Sequence, residues 1–366
     1  MKRLYVAATR RNEGKTTTCL GLMLALPGII PRVGFIKPVG QRYVTLEDGS
    51  KVDEDAVLIH EVCHIYDHPK VMSPIAIERG FTRAHIANPD LPQLQKRIFE
   101  AFEKVSKDKD LMVIEGTGHA GVGSVFGLNN AAVAKMLKSQ VIIVTRGGIG
   151  RPVDEVELNR AVFEKTGVEI IGVILNKVME EKLDEVKKYV SEYLRKTGLE
   201  LLGVIPFHPS LPGPTMGQIA EELKAEVLAG RARFANHIES IVVGATAPHE
   251  AIDYLRKGAL VITPCSREDL ILTVIGSHLI DLQRHQGPAG LLLTGDTLPH
   301  ENVMRLVSQA KIPVLRVAEE IYEVASKVHD LNVKIRPADK KKIELAGHLV
   351  KHHVNVKRIL ERLKDS

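Results

Sequence analysis

The sequence of 366 residues carries 50 basic and 45 acidic side chains, and 44% of its residues are hydrophobic. The net charge of +5 is spread along the chain, which does not favour nucleic acid as a partner. No apolar stretch approaches the roughly 20 residues of a membrane helix, and the N-terminus lacks the pattern of a secretory signal. With three widely spaced cysteines, the composition predicts a cytoplasmic protein of two domains that binds no membrane.

In the first half of the chain, short apolar runs alternate with amphipathic segments. This alternation is typical of the α/β class, with a mainly parallel sheet and helices on both faces. A stretch rich in proline and glycine, PSLPGPTMG, begins at Pro209 and indicates a boundary or hinge. The strands predicted before it are RLYVAA, RVGFIKP, DLMVIEG, QVIIVT, IIGVILN and LLGVIPF.

A second alternating series predicts a smaller α/β domain, including a helix over residues 267–285 and the strands SIVVGA, ALVITP, AGLLLTG and IPVLRV. The segment from about residue 331 is basic and has the spacing of an amphipathic helix. We therefore predict a first domain over residues 1–212, a second over 213–330, and a helical tail over 331–366.

The loop after the first predicted strand ends like a phosphate-binding loop. The pattern G-x-x-x-x-G-K-[ST] would cover residues 9–16, with Thr9 in place of the first glycine and Gly14, Lys15 and Thr16 as required. Backbone N–H groups of such a loop surround phosphate oxygens, the lysine reaches the β- and γ-phosphates, and the hydroxyl binds Mg²⁺. The residues expected to line the nucleotide site are Thr9, Arg10, Asn12, Glu13, Gly14, Lys15, Thr16 and Thr17.

Two charged residues end other predicted strands: Lys37 in GFIKPVG and Glu115 in VIEGTGHAG. Ligands gather at the carboxyl ends of strands in open α/β sheets, so we expect Lys15, Lys37 and Glu115 to converge there. A carboxylate at this place is suited to Mg²⁺, or to activating a water or a substrate amine. Alternatively, Glu115 is a residue at a strand end that only binds loop amides.

Several segments follow the order seen in dethiobiotin synthetases and their relatives, which include cobyrinic acid amidating enzymes and partition ATPases. These segments are ATRRNEGKTT, FIKPVG, VDEDAVL, VIEGTG and VILNKV with GVIPF. The chain resembles this family of P-loop proteins, in which the position of Thr9 is commonly not glycine. The resemblance implies ATP and Mg²⁺ as ligands, with Lys15 and Lys37 on the phosphates.

The resemblance further implies that Thr16, Asp55 and Glu115 surround Mg²⁺, with Asp53 and Glu54 as alternatives to Asp55. It also implies that Asn176, with the backbone near Pro206, recognises adenine.

The chain departs from dethiobiotin synthetases on the substrate side of the site. Those enzymes carry an acidic residue at the position of Asn12 and a small hydroxyl residue where this chain reads VGQR. A plain dethiobiotin synthetase is therefore not expected. Arg10 could replace the signature lysine of partition ATPases, which reaches a phosphate of the partner subunit, or it could be an ordinary surface arginine.

Segments of both halves, among them VTRGGIGRPVDEVELN and LVITPCSREDLIL, resemble the N-terminal half of the large bacterial phosphotransacetylases. There a dethiobiotin-synthetase-like domain precedes a DRTGG domain, the region is regulatory, and the acetyl-transferring domain follows. Because the sequence stops at Ser366, acetyl transfer by this chain alone is not expected.

The resemblance therefore implies a metabolic regulator or sensor that binds Mg·ATP, with or without hydrolysis, and that acts on a metabolic enzyme. One alternative is an ATP-dependent carbon–nitrogen ligase for an unknown small carboxylate or amine, with Lys37 and Glu115 as catalytic residues. A second is a dimeric switch of the partition ATPase type. Family relatives build sites across a dimer, so a homodimer is expected.

Two weaker patterns remain. The loops TPCSREDL and LTGDTLP of the second domain could lie side by side and hold a small anion or a nucleotide, or they could simply cap helices. In HEVCHIYDH, His60, His64 and His68 are spaced by four residues, which would suit Zn²⁺ on a helix but is more typical of a solvated face.

Overall fold

The computed structural model describes residues 1–281, 287–331 and 333–365. The chain divides into two compact units: Met1–Phe207 together with Ile335–Ser366, and His208–Lys334. The second unit is thus inserted, in sequence, into the first. Among the described residues, none of the helices combines the length and the apolar character that crossing a bilayer requires.

The strands and helices of residues 1–207 alternate as predicted. The strands are β1 (Lys2–Ala8), β2 (Val33–Ile36), β3 (Val39–Gly40), β4 (Tyr43–Thr45), β5 (Lys51–Asp53), β6 (Ile75–Ala76), β7 (Leu111–Glu115), β8 (Gln140–Arg146), β9 (Ile170–Val178) and β10 (Leu201–Pro206). The helices are α1 (Lys15–Ala25), α2 (Glu54–Val62), α3 (Pro69–Met72), α4 (Phe81–Ala87), α5 (Leu91–Ser106), α6 (Asn130–Met136), α7 (Arg151–Thr166) and α8 (Leu183–Lys196).

A six-stranded parallel sheet with the order β10-β9-β8-β1-β7-β2 forms the centre of this unit. All five residues of β7 are buried, as expected of a parallel strand that is covered on both faces. Since β1 lies between β7 and β8, the loops that follow these three strands meet at one edge of the sheet. The predicted fold class, a P-loop type α/β sheet followed by a smaller α/β unit, is confirmed.

The second unit contains a five-stranded sheet with the order β11-β15-β14-β13-β12, parallel except for the pair β11 and β15. Its strands are β11 (Glu226–Ala229), β12 (Ser240–Val243), β13 (Ala259–Pro264), β14 (Gly290–Thr294) and β15 (Val314–Val317). Its helices are α9 (Met216–Glu222), α10 (Pro248–Ala251), α11 (Glu268–Asp281), α12 (Glu301–Gln309) and α13 (Ile321–His329). Residues 282–285 of the helix predicted over 267–285 lie outside the described residues.

Each face of this second sheet carries its own apolar cluster. Val261, Leu291 and Leu293 belong to one cluster with residues of α11 and α12. Leu260 and Leu292 belong to the other, with residues of α9 and α13. Alternating residues of one strand thus face opposite helical layers, which is the pattern of a sheet that is buried on both sides.

The predicted basic tail forms two helices of the first unit, α14 (Lys340–His353) and α15 (Val356–Arg362). Helix α14 packs closely on α1, since a Cβ atom placed on Gly21 would lie 2.3 Å from Val350 Cγ2 and 2.8 Å from the carbonyl oxygen of Ala346. Beyond α14, Asn355 N–H donates to the carbonyl of Leu202 in β10 at 2.8 Å.

We expect Gly21→Ala to destabilise the first unit, because its Cβ atom would overlap the backbone of α14. Overpacking of this kind costs about 1–3 kcal/mol, against a gain of about 0.5–1 kcal/mol from replacing a helical glycine. Gly276→Ala is the matched control, since that helical glycine of α11 has open space at its Cβ position. Chemical denaturation should show a loss for Gly21→Ala and no loss for Gly276→Ala; equal stabilities would contradict the packing.

Candidate functional site

The loop between β1 and α1 has the backbone that phosphate binding requires. Gly14, with φ of 89°, and Asn12, with φ of 63°, both lie in the left-handed region. Helix α1 begins with no side-chain cap and no acidic residue in its first turn. Its first N–H groups, at the positive end of the helix dipole, are therefore placed to bind an anion.

The end of β9 holds this loop in place. Asn176 Nδ2 donates to the carbonyl of Glu13 at 2.8 Å, and Asn176 Oδ1 accepts the N–H of Lys177 at 2.9 Å. Lys177 Nζ donates to the carbonyl of Asn12 at 2.6 Å. In this structure the Asn176 amide contacts the loop backbone, and its role towards adenine stays a prediction, as does that of Pro206 at the end of neighbouring β10.

We expect Gly14→Ala to abolish tight nucleotide binding. A Cβ atom at Gly14 would lie 1.9 Å from Asn176 Nδ2, in addition to the strain of a positive φ, which costs about 1–2 kcal/mol. Gly167→Ala is the control, because Gly167 has a φ of 73° but open space around it. Both variants should lose stability, but only Gly14→Ala should lose ATP affinity, by tenfold or more in calorimetric titrations. Unchanged affinity would contradict the role of the loop.

Lys15 lies at the start of α1 and is half-buried. Its Nζ donates to the carbonyl of Gly118, in the loop after β7, at 3.3 Å. Burial lowers the pKa of Lys15 to about 8, although the nearby Glu115 carboxylate raises it. A phosphate group beside this ammonium would favour the charged form and would replace the single carbonyl contact.

Lys37 is buried among three carboxylates. Its Nζ lies 3.1 Å from Asp53 Oδ1 and 3.3 Å from Glu115 Oε1, and it also forms an ion pair with Asp55. Burial alone would lower the pKa of Lys37, but the three carboxylates outweigh burial and hold this pKa well above its usual range. Lys37 is therefore a fixed cation at the carboxyl edge of the sheet.

The carboxylates around Lys37 fit a magnesium site that is completed by phosphate. Thr16 Oγ1 donates to Glu115 Oε1 at 2.9 Å, so the hydroxyl and carboxylate oxygens of the predicted metal set are adjacent. Mg²⁺ commonly binds one or two carboxylates together with substrate phosphates. Among the described residues, no group of three or more His, Cys, Asp or Glu side chains is arranged to hold a metal ion, so the roles of Asp55 and Glu115 towards Mg²⁺ stay predictions.

The structure also distinguishes among the three acidic residues at the junction of β5 and α2. Asp53 and Asp55 are both buried beside Lys37, whereas Glu54 is directed to Arg42 at 3.9 Å. Asp53 caps α2 by accepting the N–H of Asp55 at 3.0 Å, so it positions Asp55 as well as binding Lys37. The sequence predicts Asp53 only as an alternative to Asp55.

Two buried asparagines that the sequence analysis missed position the loop after Glu115. Asn130 accepts from Tyr5 Oη at 2.9 Å and from Thr117 N–H at 2.8 Å, and its amide donates to the carbonyl of His119 at 2.7 Å. Asn159 accepts the N–H of Ala120 at 2.7 Å. No local pattern marks such residues, because their partners lie far away in the sequence.

Asn159 also connects this loop to the phosphate-binding loop, since its amide donates to the carbonyl of Thr9 at 3.3 Å. Arg10, the next residue, contacts the same helix: its Nε lies 2.8 Å from Glu155 Oε1, and Arg151 Nε lies at the same distance from that oxygen. Within this chain, Arg10 is therefore held by α7. Thr17 is half-buried in the first turn of α1.

The weaker sequence patterns have structural explanations. Helix α2 ends at Val62, and His64 has a φ of 51°, so the three spaced histidines do not share one helix face. The two loops of the second unit do lie side by side, since Cys265 N–H donates to the carbonyl of Thr294 at 2.9 Å. The guanidinium groups of Arg267 and Arg316 each donate hydrogen bonds to a loop carbonyl and to an acidic side chain.

Known proteins share both units of the chain. Residues 2–215 match the AAA domain family, and residues 218–331 match the DRTGG domain family. A phosphate acetyltransferase of Nitratidesulfovibrio vulgaris is 27% identical over 370 residues, which cover 98% of this chain and 51% of the relative. A phosphate acetyltransferase of Pseudomonas putida is 28% identical over 369 residues, covering 97% and 51%. The chain thus spans about half the length of the curated relatives that it matches.

Among solved structures, a plasmid partition protein of Borrelia burgdorferi bound to AMPPNP is 15% identical, with a TM-score of 0.38, over 57% of this chain and 88% of that one. The predicted succession of a P-loop domain and a DRTGG domain, and the relation to phosphotransacetylases, are confirmed. Because the match over residues 2–215 spans more than half of the sequence, the chain belongs to the AAA domain family.

Proposed function

We propose that the first unit binds Mg·ATP and that the chain is a nucleotide-responsive regulator of a metabolic enzyme. The observation that carries the proposal is the buried Lys37 among Asp53, Asp55 and Glu115, beside the hydroxyl of Thr16. Three carboxylates with one ammonium leave a net negative charge, which attracts a divalent cation. The loop ending in Gly14 supplies backbone N–H groups for the phosphates that this cation would accompany.

Each residue has a separate task in this proposal. Lys15 leaves the carbonyl of Gly118 and binds the terminal phosphates, while the N–H groups at the start of α1 bind the oxygens between them. Thr16, Asp55 and Glu115 would hold Mg²⁺, which neutralises phosphate charge when bound. Lys37 balances the negative charge of the carboxylates. From the carboxyl edge of the sheet it would contact the γ-phosphate.

The residues on the substrate side of the site favour regulation over catalysis. The carbonyl of Asn12 accepts a hydrogen bond from Lys177, and its side chain is exposed. An asparagine cannot supply the carboxylate that dethiobiotin synthetases have at this position. The relatives are phosphate acetyltransferases, and the chain matches about half of their length, alongside a DRTGG domain. A cytoplasmic enzyme of acyl phosphate metabolism is therefore the proposed partner. The three free cysteines agree with a reducing compartment.

A carbon–nitrogen ligase is the second candidate, because Lys37 and Glu115 are also suited to phosphoryl transfer. In that reaction the two lysines would stabilise the transferring group, and the carboxylate would organise the metal. The partition-type switch has less support, since the guanidinium of Arg10 is paired with Glu155 of its own chain.

The release of ADP separates the first two candidates. A regulator should be stabilised against heat by Mg·ATP, by about 2.7 kcal/mol at 100 times the Kd. Its ADP release should stay far below the roughly 1 s⁻¹ at the lower end of typical enzymes. A ligase should release ADP at or above that rate only when bicarbonate and an amine, or a carboxylate and an amine, are supplied. Rapid substrate-dependent release would contradict the regulatory proposal.

A further inference from the structure

The sheet of the second unit has two edges that differ in their protection. Soluble proteins guard edge strands with charges, bulges or covering segments, because unpaired N–H and C=O groups recruit further strands. Edge strand β11 carries Glu226, which forms an ion pair with Arg316 at 3.0 Å, and its register shifts between Val227 and Ala229. In the first unit, the edge strand β10 is covered by the backbone at Val354 and Asn355.

In the part of the chain that the structure describes, the opposite edge, β12, has none of these devices. Its sequence is Ser-Ile-Val-Val, with no charge and no proline, and its register with β13 is regular over Ser240–Val243. The N–H groups of Ser240 and Gly244 point towards β13, since they donate to the carbonyls of Gly258 and Ile262. By alternation, Ile241 and Val243 direct their backbone groups away from the sheet. Within the described ranges, no neighbouring strand pairs with them on that side, and the Val243 carbonyl accepts the N–H of Ala245 at 2.8 Å.

An apolar groove of about 520 Å³ runs beside this edge, between β12 and α13. Ile241 and Val243 line it from the strand, and Ile321 and Tyr322 line it from the helix. Tyr322 is 80% exposed and Val243 is 44% exposed, which leaves a large aromatic and a branched aliphatic side chain in solvent next to an open strand. Both side chains border the unpaired edge, where a further strand would cover them.

We propose that β12 pairs in antiparallel fashion with β12 of a second copy of this chain. A two-fold axis through Val242 would place Ile241 opposite the second copy's Val243, so that their outward N–H and C=O groups pair across the axis, with the Val243 carbonyl accepting a second N–H beside that of Ala245. The strand is compatible with itself, because it brings apolar side chains together and no like charges. Two-fold homodimers are also the commonest assemblies of soluble proteins.

The same axis accounts for the exposed apolar side chains that line the groove. A two-fold axis perpendicular to the sheet keeps corresponding faces on the same side, so α13 of both copies would flank the joined strands. The exposed Tyr322 side chains would then be covered at the junction, and one sheet of ten strands would extend across the pair. This interface lies in the second unit and does not depend on the nucleotide site proposed for the first.

A symmetric disulfide tests the register directly. At a non-hydrogen-bonded antiparallel pair the Cα atoms are about 4.5 Å apart, within the range that a disulfide requires. In a Cys63→Ser background, Val242→Cys should therefore form covalent dimers under mild oxidation. Val243→Cys is the matched control, because its symmetry mate would lie about 8 Å away, beyond disulfide reach. Absence of the Val242→Cys dimer, or equal cross-linking at both positions, would overturn the proposal.

A charge at the edge provides a test that does not rely on cross-linking. Val243→Lys should fold, since the side chain is already half-exposed, and it should place like charges across the axis. Light scattering after size exclusion should show the mass of the assembly reduced by half, and circular dichroism should show the secondary structure of the wild type. Leu158→Lys is the control, because Leu158 is 72% exposed on α7 of the first unit. An unchanged mass for Val243→Lys, or a halved mass for Leu158→Lys alone, would refute pairing through β12.

Discussion

Replacing Lys15 with alanine is expected to abolish measurable binding of Mg·ATP. Lys15 Nζ has one hydrogen bond in the described residues, to the carbonyl of Gly118, and the proposed phosphate is its stronger partner. Losing a charged contact of this kind costs about 2–5 kcal/mol, which corresponds to a loss in affinity of roughly 30-fold or more. Isothermal titration calorimetry of the variant with Mg·ATP measures this loss.

The control for this substitution is Lys165→Ala, which removes an exposed lysine near the end of α7. It should bind Mg·ATP like the wild type. Denaturation curves should show that Lys15→Ala stays folded, because its ammonium gains little from one long contact with a carbonyl. An affinity for Mg·ATP equal to that of the wild type would refute the site.

Replacing Glu115 with alanine or glutamine is expected to spare metal-free ATP binding and to weaken its dependence on Mg²⁺. The carboxylate is fully buried and accepts the hydroxyl of Thr16 at 2.9 Å, so it belongs to the oxygen set proposed for the metal. Glutamine keeps the volume and the hydrogen bond but removes the charge. The Mg²⁺ concentration that half-saturates ATP binding should rise by tenfold or more, about 1.4 kcal/mol.

Glu103→Gln, on the exposed face of α5, is the control for loss of one negative charge. Its Mg²⁺ titration curve should coincide with that of the wild type. If the curves of the Glu115 variants coincide with it as well, Glu115 has no part in binding the metal.

Much of the fold could be predicted because its signals are local. The strands β1, β7 and β8 each contain a continuous apolar run, and such runs appear in parallel strands that are buried on both faces. The sequence Gly14-Lys15-Thr16 after an apolar run likewise predicts the turn into α1. The edge strand β11 escaped prediction, since it has four residues, one of them charged, and pairs antiparallel to a distant strand.

The contacts that support the site could not be read from the sequence. Asn130 and Asn159 fix the loop after β7 through partners that lie up to 150 residues away, and an asparagine in a helix carries no such signal by itself. The packing of α14 on α1 was also unpredictable. It depends on Gly21 and Ala346, which are separated in sequence by the whole second unit.

The central claim is that the loop of Gly14 and Lys15, with the carboxylates around Lys37, binds Mg·ATP. The most direct test is a calorimetric titration of ATP into the wild-type chain, once with excess Mg²⁺ and once with a chelator. We predict one binding site per chain, with an affinity that falls when Mg²⁺ is removed. Absence of binding at millimolar ATP, or binding that ignores both Mg²⁺ and the Lys15→Ala substitution, would contradict the claim.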